Sequence, residues 1–135
     1  MTRFSITMEQ ALDFILKATE IGNGTEIFIP KLKSYSLEQI YNVLSQMAET
    51  KNEKIIGIRP GEKLHELLIN FDEMRYSWEF ENIYMILNWQ YDDEYLNSTY
   101  PGIKKFYGIE TYSSNNTEPL TDDELKSNIS NLGLL

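Results

Sequence analysis

Apolar residues near the start of the chain recur at helical spacing. Met8, Ala11, Leu12, Ile15 and Leu16 follow Thr7-Met8-Glu9-Gln10, a capping box in which the Thr hydroxyl accepts from the third backbone N–H while Gln reaches back. The pattern predicts a helix from Met8 that Gly22 and Gly24 stop. A short strand is expected over residues 25–29, closed by Pro30. Ser36-Leu37-Glu38-Gln39 repeats the capping logic and opens a second helix with Leu37, Ile40, Tyr41, Leu44, Met47 and Ala48 on one face. Residues 54–58 read as a second strand. Arg59-Pro60-Gly61-Glu62 turns out of it into a short helix carrying Leu64, Leu67 and Leu68. Residues 78–87, aromatic and β-branched, read as a third strand. From 88 to 116 the pattern dissolves into an extended surface loop, and Thr121-Asp122-Asp123-Glu124 caps a last helix through about Asn131. The order α, β, α, β, α, β, α predicts an α+β fold, a small mixed sheet with packed helices, in a single domain over 1–135.

Composition narrows the function classes. The 135 residues can bury a real core, and 41% hydrophobic with 24% charged residues is ordinary for a globular protein. Without cysteine there is no disulfide framework, thiolate metal site or cysteine nucleophile. The N-terminus lacks a signal-peptide layout and no apolar run reaches the ~20 residues of a membrane helix, so a cytoplasmic location is expected. A net charge of −9 argues against nucleic acid as partner. It does not exclude a phosphate ligand, because screening at physiological salt acts over ~8 Å and nearby arginines outweigh distant carboxylates.

Candidate chemistry concentrates in a few stretches. They are Met1-Thr2-Arg3-Phe4-Ser5-Ile6-Thr7, then Glu26-Ile27-Phe28-Ile29-Pro30-Lys31, then Ile55-Ile56-Gly57-Ile58-Arg59-Pro60-Gly61-Glu62-Lys63-Leu64-His65-Glu66, and last Tyr112-Ser113-Ser114-Asn115-Asn116 with Leu120-Thr121 and Glu124-Leu125. In that order they resemble the C-terminal, substrate-binding region of the capsular-polysaccharide type of UDP-N-acetylglucosamine 4,6-dehydratases, which are extended short-chain dehydrogenase/reductases. The resemblance spans nearly the whole chain except the loop between Asn88 and Gly108, and the Arg59–Glu66 block is its most specific part.

The resemblance implies that Arg59 binds the UDP diphosphate, that Glu62 sits near the ribose, and that Arg3 reaches the same phosphates. Elementary chemistry agrees for the first two. Gly61 lets the chain turn sharply, and a helix starting there would present backbone N–H groups to an anion. Arg59 can set a planar, permanently charged fork on a phosphate, and one such pair at ~4 Å is worth roughly 4 kcal/mol at an effective dielectric near 20. Glu62 can accept from paired hydroxyls. The alternative is a surface ion pair between Arg59 and Glu62 at a turn. His65, the one histidine, reads as a packing or surface residue with a structural role, and no metal site is expected.

The family's chemistry also needs NAD(P) on a Gly-x-Gly-x-x-Gly turn and a Tyr-x-x-x-Lys dyad. Gly22-Asn23-Gly24-Thr25-Glu26-Ile27 lacks the third glycine and follows a helix; Tyr100-Pro101-Gly102-Ile103-Lys104 has the spacing, but Pro and Gly make it a turn. No catalytic residue is therefore expected here. The expectation is the substrate domain of an extended short-chain dehydrogenase/reductase without its Rossmann half, inactive by itself, with NAD(P) carried on that half. Its expected partners are a UDP-sugar, a Rossmann-type half or full-length homologue, and further copies of itself. The alternative is a non-catalytic interaction or oligomerisation module that docks to a full-length dehydratase or to itself.

Overall fold

The computed structural model describes residues 1–49 and 53–132. In chain order the elements are β1 (Thr2–Ser5), α1 (Met8–Ile21), β2 (Ile27–Pro30), β3 (Lys33–Ser36), α2 (Leu37–Met47), β4 (Leu67–Ile69), α3 (Phe71–Met74), β5 (Ser77–Phe80), β6 (Ile83–Ile86), α4 (Asp93–Thr99), β7 (Lys104–Lys105), β8 (Tyr112–Ser113) and α5 (Asp122–Asn131). The fold is α+β, with three small sheets among the described residues. The named ladders are antiparallel, and parallel pairing among the described residues is confined to a bridge between Ser34 and Pro119. The contacts define two compact units interleaved in sequence. The first is Met1–Ser5, Leu32–Glu66 and Ser114–Leu135, and the second is Ile6–Lys31 and Leu67–Ser113.

In the first unit β1 pairs with β3, placing Arg3 opposite Tyr35. α2 lies against α5, and Val43 is wholly buried among Leu120, Leu125 and Ile129, with Tyr35, Ile40 and Met47 at the margin. Burying each such side chain fully contributes about 1.5–3 kcal/mol. The helices begin where local chemistry says they should. Ser36 Oγ accepts from the Gln39 N–H at 3.0 Å, and Thr121 and Glu124 form a reciprocal capping box on α5. Glu124 also reaches across to β3, where its Oε1 accepts from Lys33 Nζ at 2.8 Å.

The second unit is built on the sheet β2-β6-β5-β7. Phe80, Ile83, Met85, Leu87, Leu96, Tyr100 and Ile103 form its core, and Phe14 and Ile21 of α1 pack against them. At the α1–β2 turn, Glu26 Oε2 accepts from the backbone N–H groups of Asn23, Gly24 and Thr25, and Oε1 accepts from the buried Tyr100 hydroxyl at 2.7 Å. Burial opposes the charge on Glu26, but the bonds from Tyr100 and the backbone outweigh it and hold the carboxyl below its ordinary range. Burial above all, with the same carboxylate, pushes Tyr100 up to about 12, against the pull of the Asn23 amide.

Several elements depart from the sequence expectation. Residues 54–58 form no strand: Ile55 is 89% exposed, Gly57 has φ +73°, and no strand among the described residues pairs with them. β-branched composition alone cannot make a strand without a partner. No helix follows Gly61 either; Leu67–Ile69 is β4, paired with β8 across a bulge. The expected strand over 78–87 is a hairpin, β5 and β6, turned at Glu81 with φ +51°. The expected loop over 88–116 carries α4, β7 and β8, and Asp92 caps α4 by accepting from the Tyr95 N–H. In α2 the inward positions are Ile40, Val43 and Met47, whereas Leu37 and Leu44 are exposed.

Candidate functional site

The three expected ligand residues lie in the first unit, on β1 and on the loop after residue 58. Arg59-Pro60-Gly61-Glu62 closes a four-residue turn in which the Glu62 N–H donates to the Arg59 carbonyl at 3.0 Å. Proline second and a left-handed third residue, Gly61 at φ +81°, are the requirements of a type II turn. Glu62 tightens it, because its Oε2 accepts from the Arg59 N–H at 3.1 Å. A turn thus replaces the expected helix start, and with it goes the idea of a helix N-terminus receiving the anion.

The turn leaves Arg59 exposed, and among the described residues its guanidinium has no ion-pair partner. The alternative of an Arg59–Glu62 side-chain ion pair is not what forms. Glu62 instead points Oε1 toward Arg3, 4.0 Å from Nη2. Arg3 Nε lies 3.8 Å from Glu66 Oε1, and Nη1 donates to the Thr2 carbonyl at 2.7 Å. Arg3 and Glu62 are therefore side by side, and Arg59 joins them through its main chain.

The loop is fastened to β1 by contacts far apart in sequence. The Thr2 N–H donates to the Leu64 carbonyl at 2.9 Å, and the Phe4 N–H donates to Glu66 Oε2 at 2.7 Å. The buried Ser114 donates its N–H to the Glu66 carbonyl at 2.9 Å, while its Oγ accepts from the Glu66 N–H at 2.9 Å. Ser114 Oγ is 2.7 Å from Thr2 Oγ1, which is 2.8 Å from His65 Nδ1. Ser114 already accepts from Glu66, so the assignment that gives every hydroxyl hydrogen an acceptor runs Ser114 to Thr2 to His65. That assignment puts the imidazole proton on Nε2. His65 is thus a structural partner of β1, as its sequence context suggests. Glu66, Ser114 and Thr2 are the residues that sequence reasoning misses as parts of the site. Their pairings span 48 to 112 positions, and nothing local signals them.

Two other motifs fall elsewhere. Tyr100 is the C-cap of α4 with its hydroxyl bound to Glu26, whereas Lys104 is exposed on β7, so the two do not share a helical turn. The Gly22–Glu26 turn does not fit a dinucleotide pyrophosphate. Its N–H groups are already engaged by Glu26, a carboxylate of the same sign as the phosphates it would have to admit. Among the described residues, no three acidic or histidine side chains converge as a metal cluster would require.

Known proteins are similar over this same region. The family described as polysaccharide biosynthesis protein matches residues 1–88, which include β1, Arg59 and Glu62. Over 86 residues the chain is 46% identical to a UDP-N-acetylglucosamine 4,6-dehydratase (inverting) of Campylobacter jejuni, covering 64% of this chain and 25% of that protein. A UDP-glucose 4-epimerase of Rickettsia bellii is 33% identical over 133 residues, 98% of this chain and 39% of the relative. Among solved structures, the X-ray structure of Pen from Bacillus thuringiensis superposes with a TM-score of 0.80 at 28% identity, over 100% of this chain and 40% of that one. The chain spans between 25% and 40% of the length of these relatives. Among the described residues, no helix is long and apolar enough to cross a membrane.

Proposed function

The chain belongs to the polysaccharide biosynthesis protein family, and on that premise we propose that it is the UDP-N-acetylhexosamine-holding part of a nucleotide-sugar 4,6-dehydratase or epimerase. Arg59 and Arg3 take the diphosphate and Glu62 takes the ribose hydroxyls. The observation that carries this reading is the turn in which the Arg59 main chain binds Glu62, itself facing Arg3, while the Arg59 side chain is exposed. No residue of this chain is assigned a chemical step. NAD(P), which supplies hydride transfer to such enzymes, is assigned to a Rossmann-type half working with this chain, in keeping with the poor fit of the Gly22–Glu26 turn.

Titrating UDP into the isotopically labelled chain tests the reading. Backbone and guanidinium resonances of Arg59, Glu62 and Arg3 are expected to move. Arg59→Ala should weaken binding by about 1.5–3 kcal/mol, the worth of a hydrogen bond to a charged group, or about ten- to a hundredfold in Kd. No perturbation at Arg59, even with a dinucleotide-binding partner present, would sink the assignment.

A second reading rests on a different observation. Along α1, Met8, Leu12, Ile15 and Leu16 are 77%, 54%, 56% and 67% exposed, although they follow helical spacing. An apolar stripe of that kind on a protein surface marks a docking face, and it supports an interaction role alongside ligand binding.

A further inference from the structure

Arg3 is held in an unusual way for a phosphate-binding arginine. Two carboxylates face it, Glu62 Oε1 at 4.0 Å from Nη2 and Glu66 Oε1 at 3.8 Å from Nε. Both distances exceed the ~2.7–2.9 Å of a charge-assisted hydrogen bond, so neither contact is a formed bond of that kind. The one close bond of the guanidinium among the described residues goes from Nη1 to the Thr2 carbonyl. Of its five N–H donors, those on Nε and Nη2 face acceptors without reaching them.

The two carboxylates are not equivalent. Glu66 is pinned: its other oxygen accepts from the Phe4 N–H at 2.7 Å, and its backbone is bonded to Ser114 in both directions. Glu62 is held more weakly, by a 3.1 Å bond from the Arg59 N–H within a turn open to solvent. When two negative groups share a cation, an incoming anion displaces the less tethered one.

We propose that Glu62 is an exchangeable counter-ion of Arg3 and sets specificity, a role that rests on the UDP-sugar reading above. Without ligand it shields Arg3 and repels a bare diphosphate. A nucleotide diphosphate takes its place at Nη2, and the released carboxylate is then free to accept from ribose hydroxyls. Glu66 stays on Arg3 throughout as a positioning residue. The ligand that satisfies both groups carries a diphosphate and vicinal hydroxyls together, so inorganic pyrophosphate is disfavoured relative to UDP.

Calorimetric titrations of UDP and of inorganic pyrophosphate, on the unaltered chain and on Glu62→Gln, test this. The variant is expected to bind pyrophosphate about five- to tenfold more tightly than the unaltered chain and to lose most of its preference for UDP. Glu118→Gln removes the same charge from a carboxylate that faces Lys33 instead, and should leave pyrophosphate affinity unchanged. On the unaltered chain, the Glu62 side-chain carboxyl 13C resonance should move as pyrophosphate is added while that of Glu66 stays. If the unaltered chain binds UDP but Glu62→Gln gains nothing toward pyrophosphate, or if the Glu62 carboxyl does not respond, this inference falls and the site reading survives. If the unaltered chain binds neither UDP nor pyrophosphate, even with a dinucleotide-binding partner present, both fall.

Discussion

Glu124 shows how much one side chain can join. One of its oxygens closes the capping box of α5 and the other receives Lys33 from β3. The hydrogen bond from Lys33, then that from the Thr121 backbone, draws its pKa from the ordinary 4.5 to about 2. The sign follows from linkage. A carboxyl more acidic in the folded state contributes stability that is fully present above the unfolded value and lost as pH falls through about 2. Lys33 is shifted the other way, raised first by Glu124 and then by Glu118, so its share persists below 10.5 and fades as pH climbs through the raised value. Urea midpoints followed from neutral pH into acid should show Glu124→Gln less stable near neutrality and converging with the unaltered chain toward about pH 2. At this scale the sequence is informative where the chemistry is local. The boxes at Thr7 and Thr121 are readable because both partners sit three residues apart. Arg3, Arg59 and Glu62 are readable only as members of a motif. The grip of Glu66 and Ser114 is not, because it depends on residues that meet only after folding.

Among elements, the longer helices α1, α2 and α5 and the strand β2 are legible, whereas the other strands and the short helices are not. A helix satisfies its backbone internally, so α1, α2 and α5 follow from capping and spacing, whereas a strand depends on a partner that can lie anywhere in the chain. Residues 54–58 carry the composition of a strand and find no partner among the described residues, while β1 and β3, four residues each, carry no alternating pattern and pair nonetheless. The run 78–87 hides a turn, since Glu81-Asn82 sits inside an otherwise apolar stretch. The α4 start at Asp92 uses the same acceptor logic as the other caps, but Asp92-Asp93-Glu94 reads equally well as a solvated acidic loop. The packing of α2 on α5 gives a test at this level. Leu125→Ala, in the buried cluster, should cost about 2–5 kcal/mol in denaturant unfolding. Leu132→Ala, 67% exposed beyond the helix end, should stay within about 0.5 kcal/mol.

For the molecule as a whole, the apolar surface of α1 stands out. Met8, Leu12, Ile15 and Leu16 face outward while Phe14 and Ile21 of the same helix face the second unit's core, so α1 is apolar on two sides. A helix with that pattern is ordinarily covered on both. Sedimentation velocity is expected to show concentration-dependent association of the chain, abolished by Leu12→Glu with Leu16→Glu. A monomer at every concentration would remove the interaction reading and leave the ligand site untouched.

The exposed stretch leading into the Arg59 turn carries one more consequence. Ile55, Ile56 and Ile58 form a β-branched run whose backbone joins no ladder among the described residues, the kind of segment that templates cross-β stacking between molecules. Gly57, wound left-handed at φ +73°, interrupts that run at its centre. A side chain is strained in such a conformation and would favour straightening the run. A side chain at Gly57, with Gly57→Val as the test, is therefore expected to raise the thioflavin-detected aggregation of the chain on prolonged incubation.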